Sequence, residues 1–112
     1  MDCIFCKIIA GEIPAKKIYE DEQAIAFADL HPQAPVHLLI VPRRHIRSLA
    51  ETQAQDVPLL GHLIHLVAQL AENQGLEKGY RTVINTREEG GQTVDHLHVH
   101  LIGGRAMHWP PG

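Results

Sequence analysis

The chain has 112 residues, 45% hydrophobic and 21% charged, a composition that suits one small globular domain over residues 1–112 and excludes a disordered chain, a coiled coil or a multidomain enzyme. Ten Lys plus Arg against thirteen Asp plus Glu leave a formal charge of −3, so no overall basic field releases counterions from a nucleic-acid backbone and no nucleic-acid partner is expected. Nine histidines stand out, because an imidazole suits proton transfer, nucleophilic attack and metal ligation near neutral pH.

In chain order, Met1-Asp2-Cys3-Ile4-Phe5-Cys6 lacks the basic and apolar regions of a secretory signal. No apolar stretch approaches the roughly 18 residues of a membrane span, since the run over 38–41 ends at Pro42-Arg43-Arg44. A cytoplasmic protein with no membrane partner is expected. In a reducing compartment the C-x-x-C of Cys3 and Cys6 reads as free thiols or half of a metal site rather than a structural disulfide.

Residues 18–20 and 24–28 are short β-type runs around an acidic turn, which predicts a hairpin. The branched, apolar run 36–41 lies between Pro35 and Pro42 and predicts a buried strand that carries His37. From Asp56, the candidate N-cap, Leu60, Leu63, Ile64, Val67, Leu70 and Ala71 recur at helical spacing, with Pro58 in the first turn and Gly75 at the far end. Residues 80–86 and 94–102 read as two more strands joined by a loop over 87–93. The order β-β-β-α-β-β predicts an α+β fold, with an antiparallel five-stranded sheet and one long helix on one face.

The last predicted strand contains His96-Leu97-His98-Val99-His100, in which strict alternation puts three imidazoles on one face and Leu97, Val99 and Leu101 on the other. At about 3.3 Å per residue the row spans about 13 Å, the size of a phosphoryl group with its leaving group and sugar. Alternate strand histidines can also present nitrogens to zinc. Gly90-Gly91-Gln92-Thr93 precedes the row and can offer backbone N–H groups, an amide and a hydroxyl to an anionic phosphate, which favours a phosphate-transfer site. His31, His62 and His65 have no partner in this pattern and read as ordinary structural residues.

These motifs resemble the histidine-triad (HIT) family, specifically its Hint branch of purine nucleoside phosphoramidases. The resemblance runs from Ile4-Phe5-Cys6-Lys7-Ile8-Ile9 and Gly11-Glu12-Ile13-Pro14, through His31-Pro32-Gln33-Ala34-Pro35 and Asn85, to the triad, Gly103-Gly104-Arg105 and the Trp109-Pro110-Pro111-Gly112 ending. It implies hydrolysis of the P–N bond of adenosine or guanosine 5′-phosphoramidates through a nucleotidyl-histidine on His98, with no required cofactor. A neutral imidazole nucleophile must keep one nitrogen free, so the other N–H of His98 should be pinned by an acceptor such as a backbone carbonyl near His96. By the same resemblance His37 and His96 orient and relay protons, and His100 lies near the leaving group. Asn85, Gly91, Gln92 and Thr93 would hold the phosphate, Asp29 the ribose, and Ile4, Phe5, Ile8, Phe27 and Leu30 the purine.

From the residues alone, the five apolar positions read equally as core and Asp29 as a turn cap. Thr93 stands where many relatives have serine, and Ala28 where the animal branch often has histidine. The resemblance further implies a homodimer with a sheet extended across it, and a tail that carries Trp109 to the leaving-group side of the partner's site. Some bacterial relatives bind zinc through a matching C-x-x-C, a Pro-x-x-His-Ile histidine and the first triad histidine, here Cys3, Cys6, His45 and His96. A structural zinc and two simply buried thiols both stay open. The other functions in view are a non-catalytic nucleotide-binding module and a dinucleoside polyphosphate hydrolase of the Fhit type.

Overall fold

The computed structural model describes residues 3–112, so the part of the N-terminal expectation that rests on Met1 and Asp2 lies outside the described residues. In chain order its elements are α1 (Ile4–Ile9), β1 (Lys17–Glu20), β2 (Ala24–Ala28), β3 (Val36–Pro42), α2 (Val57–Asn73), β4 (Tyr80–Val83) and β5 (Val99–Gly103), with 3-10 turns at Leu49–Glu51 and Ala54–Asp56. The five strands form one antiparallel sheet in the order β1-β2-β3-β5-β4. No helix among the described residues is long and apolar enough to cross a membrane.

The apolar character of β3 follows from its place at the sheet centre, where both faces are covered. Leu38 and Ile40 join Leu97, Val99 and Leu101 against Leu63, Leu66, Val67, Leu70 and Ala71 of α2. Leu39 and Val41 point the other way and pack with Ile25, Phe27, and Phe5 and Ile8 of α1. Each large apolar side chain so buried contributes about 1.5–3 kcal/mol.

Four details depart from the sequence expectations. Helix α1 was not predicted: six residues are too short for a periodicity signal, and the helix forms because Cys3 caps it, its Sγ accepting the Cys6 N–H at 3.3 Å. The buried stripe of α2 runs through Leu66, whereas Ile64 is 47% exposed. Asp56 precedes α2 but does not cap it, because its carboxylate accepts the Gln53 N–H at 2.8 Å and pairs with Arg44. Strand β4 ends at Val83 and β5 begins only at Val99, since the Leu97 N–H leaves the sheet to bond the Ile46 carbonyl at 2.7 Å.

Candidate active site and metal-ligand cluster

Only His100 of the three alternating histidines lies within a strand; His96 and His98 sit in the irregular segment before β5. Alternation nevertheless persists through that segment. Leu97, Val99 and Leu101 enter the α2 core, while His96 and His98 meet the ring of Phe5 with centroids 5.9 and 5.1 Å away. The rings of His98 and His100 are 5.0 Å apart. His37 joins them from β3, where Leu39 stands opposite His100 and His37 lies two residues along on the same face.

The hydrogen bonds assign the protons. His98 Nδ1 lies 2.7 Å from the His96 carbonyl, which can only accept, so Nδ1 carries the hydrogen and Nε2 keeps a lone pair. The Gln33 backbone N–H donates to His37 Nδ1 at 3.0 Å, so the His37 proton sits on Nε2 and is donated to His100 Nδ1 at 2.9 Å. His100 must then carry its own proton on Nε2, which is buried and makes no hydrogen bond within the described residues. Burial is the main cause that holds His98 below its ordinary 6.5, against the His96 carbonyl and the Asp29 charge, which act to raise it. For His100, burial and then the charges of His98 and His37 bring the pKa down to about 4. Both imidazoles are neutral near pH 7.

Asp29 Oδ1 accepts the His31 N–H at 2.8 Å, closing the turn after β2, and Oδ2 lies 3.4 Å from His37 Nε2. Asp29, His37 and His100 thus cluster with the spacing of metal ligands. The proton assignment makes this cluster a relay instead. A cation would need the His37 Nε2 lone pair while the Gln33 N–H still occupies Nδ1, which leaves an imidazolate.

The other cluster has the opposite character. Cys3, Cys6, His45 and His96 bring one ligand atom each to within 4.8 Å of all the others. Cys3 Sγ is 3.3 Å and Cys6 Sγ 3.6 Å from His96 Nδ1, Cys6 Sγ is 3.4 Å from His45 Nδ1, and the two Nδ1 atoms are 3.1 Å apart. Zinc bonds of about 2.0 Å to nitrogen and 2.3 Å to sulfur set tetrahedral ligands about 3.3–3.8 Å apart. His96 Nε2–H donates to the Pro42 carbonyl at 2.8 Å, which frees Nδ1 as a ligand in the manner of an outer-shell partner. Burial first, then the adjacent Cys3, push the Cys6 thiol up, a tendency that a divalent cation reverses. The four residues fit a structural zinc.

A cleft of about 280 Å³ opens beside His98 and His100. Ile4, Phe5, Ile8, Phe27 and Leu30 form its apolar wall, with Asp29 and Thr93 as polar lining. Leu30 is 75% exposed, so core packing does not account for it. Gly91 and Gln92 lie instead along a neighbouring polar cleft of about 500 Å³, which Thr93 also lines. The Gln92 amide is already engaged by the protein, donating to the Arg47 and Val94 carbonyls at 2.8 and 2.9 Å and accepting the Arg87 N–H at 2.8 Å, so it ties its loop to the segment after β3. Asn85 follows β4, half-buried, and is not in the wall of the 280 Å³ cleft.

The C-terminal tail leaves β5 at Gly104 and is held to its own chain by Arg81, which donates to the His108 carbonyl at 2.7 Å. Trp109 is 83% exposed. Sequence reasoning missed two polar anchors. His62 Nε2–H donates to Asp21 at 2.7 Å, a contact 41 residues apart with no local signal. Arg105 donates to the Gln33 carbonyl at 3.0 Å, 72 residues away.

Residues 2–109 match the family model described as "Scavenger mRNA decapping enzyme C-term binding". The chain is 56% identical over 111 residues to an uncharacterised HIT-like protein of Synechococcus elongatus, covering 99% of this chain and 97% of that protein. It is 49% identical to the 14 kDa zinc-binding protein of Zea mays, over 97% and 87% of the two chains. Among solved structures, a HIT family hydrolase from Legionella pneumophila superposes with a TM-score of 0.97 at 49% identity, over 99% of this chain and all of that one.

Proposed function

The chain belongs to the histidine-triad family, and from that premise we propose that it is a hydrolase of the Hint type that cleaves the P–N bond of purine nucleoside 5′-phosphoramidates through a nucleotidyl intermediate on His98. The observation that carries this reading is the free Nε2 lone pair of a neutral His98, fixed by the 2.7 Å bond from its Nδ1–H to the His96 carbonyl, at the wall of a cleft with an apolar side.

In the first step His98 Nε2 bonds to the α-phosphorus, the P–N bond breaks, and the amine departs with a proton from solvent. The imidazole becomes a cationic phospho-imidazolium, and the Nδ1–H bond to the His96 carbonyl strengthens as that charge develops, which lowers the barrier rather than merely binding substrate. His100 Nε2–H is a buried donor left without an acceptor among the described residues and is offered to the reacting group. In the second step water attacks phosphorus and releases its proton to solvent, the P–Nε2 bond breaks with its electron pair returning to Nε2, and His98 regains its neutral form. Thr93 and the backbone of Gly91 contact the phosphate, Asp29 the ribose and the apolar wall the purine, while Gln92 serves by holding the loop. Asn85 belongs to the phosphate set by resemblance.

Cys3, Cys6, His45 and His96 would hold a zinc ion whose role is to fix the surrounding chain, with no part in the chemistry at phosphorus. No further cofactor is needed. A thiolate-ligated zinc fits a reducing, cytoplasmic setting. A homodimer is proposed from the exposed apolar residues Val57, Ile64 and Tyr80 on α2 and β4, and Trp109 is assigned to the leaving-group side of the partner's site. Turnover of an adenosine phosphoramidate by the wild type and His98→Ala tests the reading. Equal rates remove the assignment to this site, and no wild-type turnover leaves a nucleotide-binding module.

A further inference from the structure

We propose that Arg105 is a positioning residue which, by holding the Gln33 carbonyl, fixes the direction in which His37 and His100 share a proton; this rests on the reading of the triad as reaction machinery. The direction is set by the Gln33 N–H aimed at His37 Nδ1, and the Asp29 carboxylate oxygen 3.4 Å from His37 Nε2 acts in the same sense. Without that donor, the His37 proton can move to Nδ1. Nε2 of His37 would then face His100 Nδ1 as a second lone pair, and the pair is restored only if His100 also moves its proton to Nδ1. The buried Nε2 of His100 would become an acceptor, and a reacting phosphoryl group would meet a lone pair in place of an N–H. The turn amide, together with Asp29, therefore selects what the cleft presents.

Gln33 lies in an exposed turn, and Pro32 and Pro35 beside it have no N–H with which to tie that turn down. Beyond the Asp29 bond to the His31 N–H, its restraints are the Gln33 side chain, which bonds the His31 carbonyl at 3.0 Å, and Arg105, whose Nε–H donates to the Gln33 carbonyl at 3.0 Å. Arg105 is held in turn by its bond to the Ala106 carbonyl at 3.2 Å. Topology explains the pairing. Val36 stands opposite Gly103 at the end of the β3–β5 ladder, so the turn before β3 and the turn after β5 continue side by side beyond the sheet. Gly104 permits the approach, since a Cβ there would lie 2.9 Å from Pro35 Cβ on a backbone with φ +92°. The clamp thus joins the two strands that carry His37 and His100, at the end next to His37.

The test compares Arg105→Met and Arg105→Lys with wild type in the full chain, reading the ring-nitrogen chemical shifts of His37 and His100 together with kcat and KM for an adenosine phosphoramidate. Arg105→Met is expected to mix the His37 tautomers and to lower kcat about five- to tenfold with KM changed less than about twofold, while Arg105→Lys, which keeps a donor, recovers most of both signals. Ring-nitrogen shifts in Arg105→Met identical to wild type would overturn the proposal, even if kcat falls, because that loss would be structural. If wild type fails to turn the compound over, the reaction assignment fails, and the nitrogen shifts still decide whether Arg105 sets the tautomer.

Discussion

The backbone carbonyl of His96 accepts the Nδ1–H of His98 at 2.7 Å, while the ring of the same His96 turns its Nδ1 toward Cys3 and Cys6 at 3.3 and 3.6 Å. One residue therefore orients the candidate nucleophile with its main chain and closes the cysteine and histidine cluster with its side chain. Helix α1 makes a second such link, because Cys3 and Cys6 flank Ile4 and Phe5, which line the cleft beside His98.

This linkage predicts what removal of metal does. Protein purified without chelator should carry about one equivalent of zinc, and Cys3→Ser and His45→Ala should each abolish it. Chelation should loosen α1 and raise the Kd for an adenine nucleotide at least about fivefold, since fully buried apolar wall residues contribute about 1.5–3 kcal/mol each. Metal analysis and nucleotide titration before and after chelation check this; substoichiometric metal that survives both substitutions counts against the quartet.

Stability should fall with acid in two windows. His100 is held at about 4 against an ordinary 6.5, so the unfolded chain binds more protons between those values, and stability declines as pH falls from about 6.5 to 4. Asp21 is at about 2: burial acts to raise it, but donors from Gln23, Tyr19, His62 and Ala24 overcome that. Its contribution is complete above 3.8 and is lost as pH falls from 3.8 toward 2. Urea denaturation across pH 2–7 should show both declines, and Asp21→Asn should reduce the lower one, to which Glu51 and Asp56, held below their ordinary values by Ser48 and Arg44 respectively, also contribute.

A Cβ at Gly90 would sit 2.3 Å from the Thr86 carbonyl oxygen and 2.7 Å from its nitrogen, distances that no side chain can accommodate. Arg87 on the same loop already adopts φ 60°. Gly90→Ala should therefore displace the loop that carries Gly91 and Thr93, costing about 1–3 kcal/mol of stability and raising KM for the phosphoramidate. Denaturant midpoints with steady-state kinetics measure both; an unchanged KM would separate the loop from substrate.

Much of this was legible in the sequence because it rests on periodicity. The alternation of Leu97, Val99 and Leu101 with histidines survives even where the strand does not, since the core demands those three leucine and valine side chains regardless of the ladder. The succession of elements along the chain and the long helix follow from patterns of the same kind, whereas the order of strands within the sheet does not. What stayed hidden depends on contacts between distant segments. Helix α1 needed the Cys3 cap, Asp56 turned to Gln53 and Arg44 instead of its own helix, and the Arg105 clamp on Gln33 joins two turns that only the folded sheet makes neighbours. Gln92 looked like a phosphate ligand by type, and its three bonds to Arg87, Val94 and the distant Arg47 could be seen only in place.

The tail offers a test of the dimer reading. Arg81 anchors His108 to its own chain and leaves Trp109 outward. Removing residues 106–112 should change the relative kcat/KM values of phosphoramidates with different amines while leaving nucleotide affinity nearly unchanged. An unchanged rank order of amines, with tryptophan fluorescence indifferent to nucleotide, would place the tail outside the reaction.

The most direct measurement is rapid quench of the wild type with an adenosine phosphoramidate labelled at phosphorus, followed by mapping of the labelled peptide. A nucleotidyl adduct on Nε2 of His98 is expected, and His98→Gln should still bind nucleotide but form no adduct, with kcat reduced by about 10³-fold or more. Label on His96 or His100, or turnover by His98→Gln at the wild-type rate, would contradict the assignment of His98 as the nucleophile.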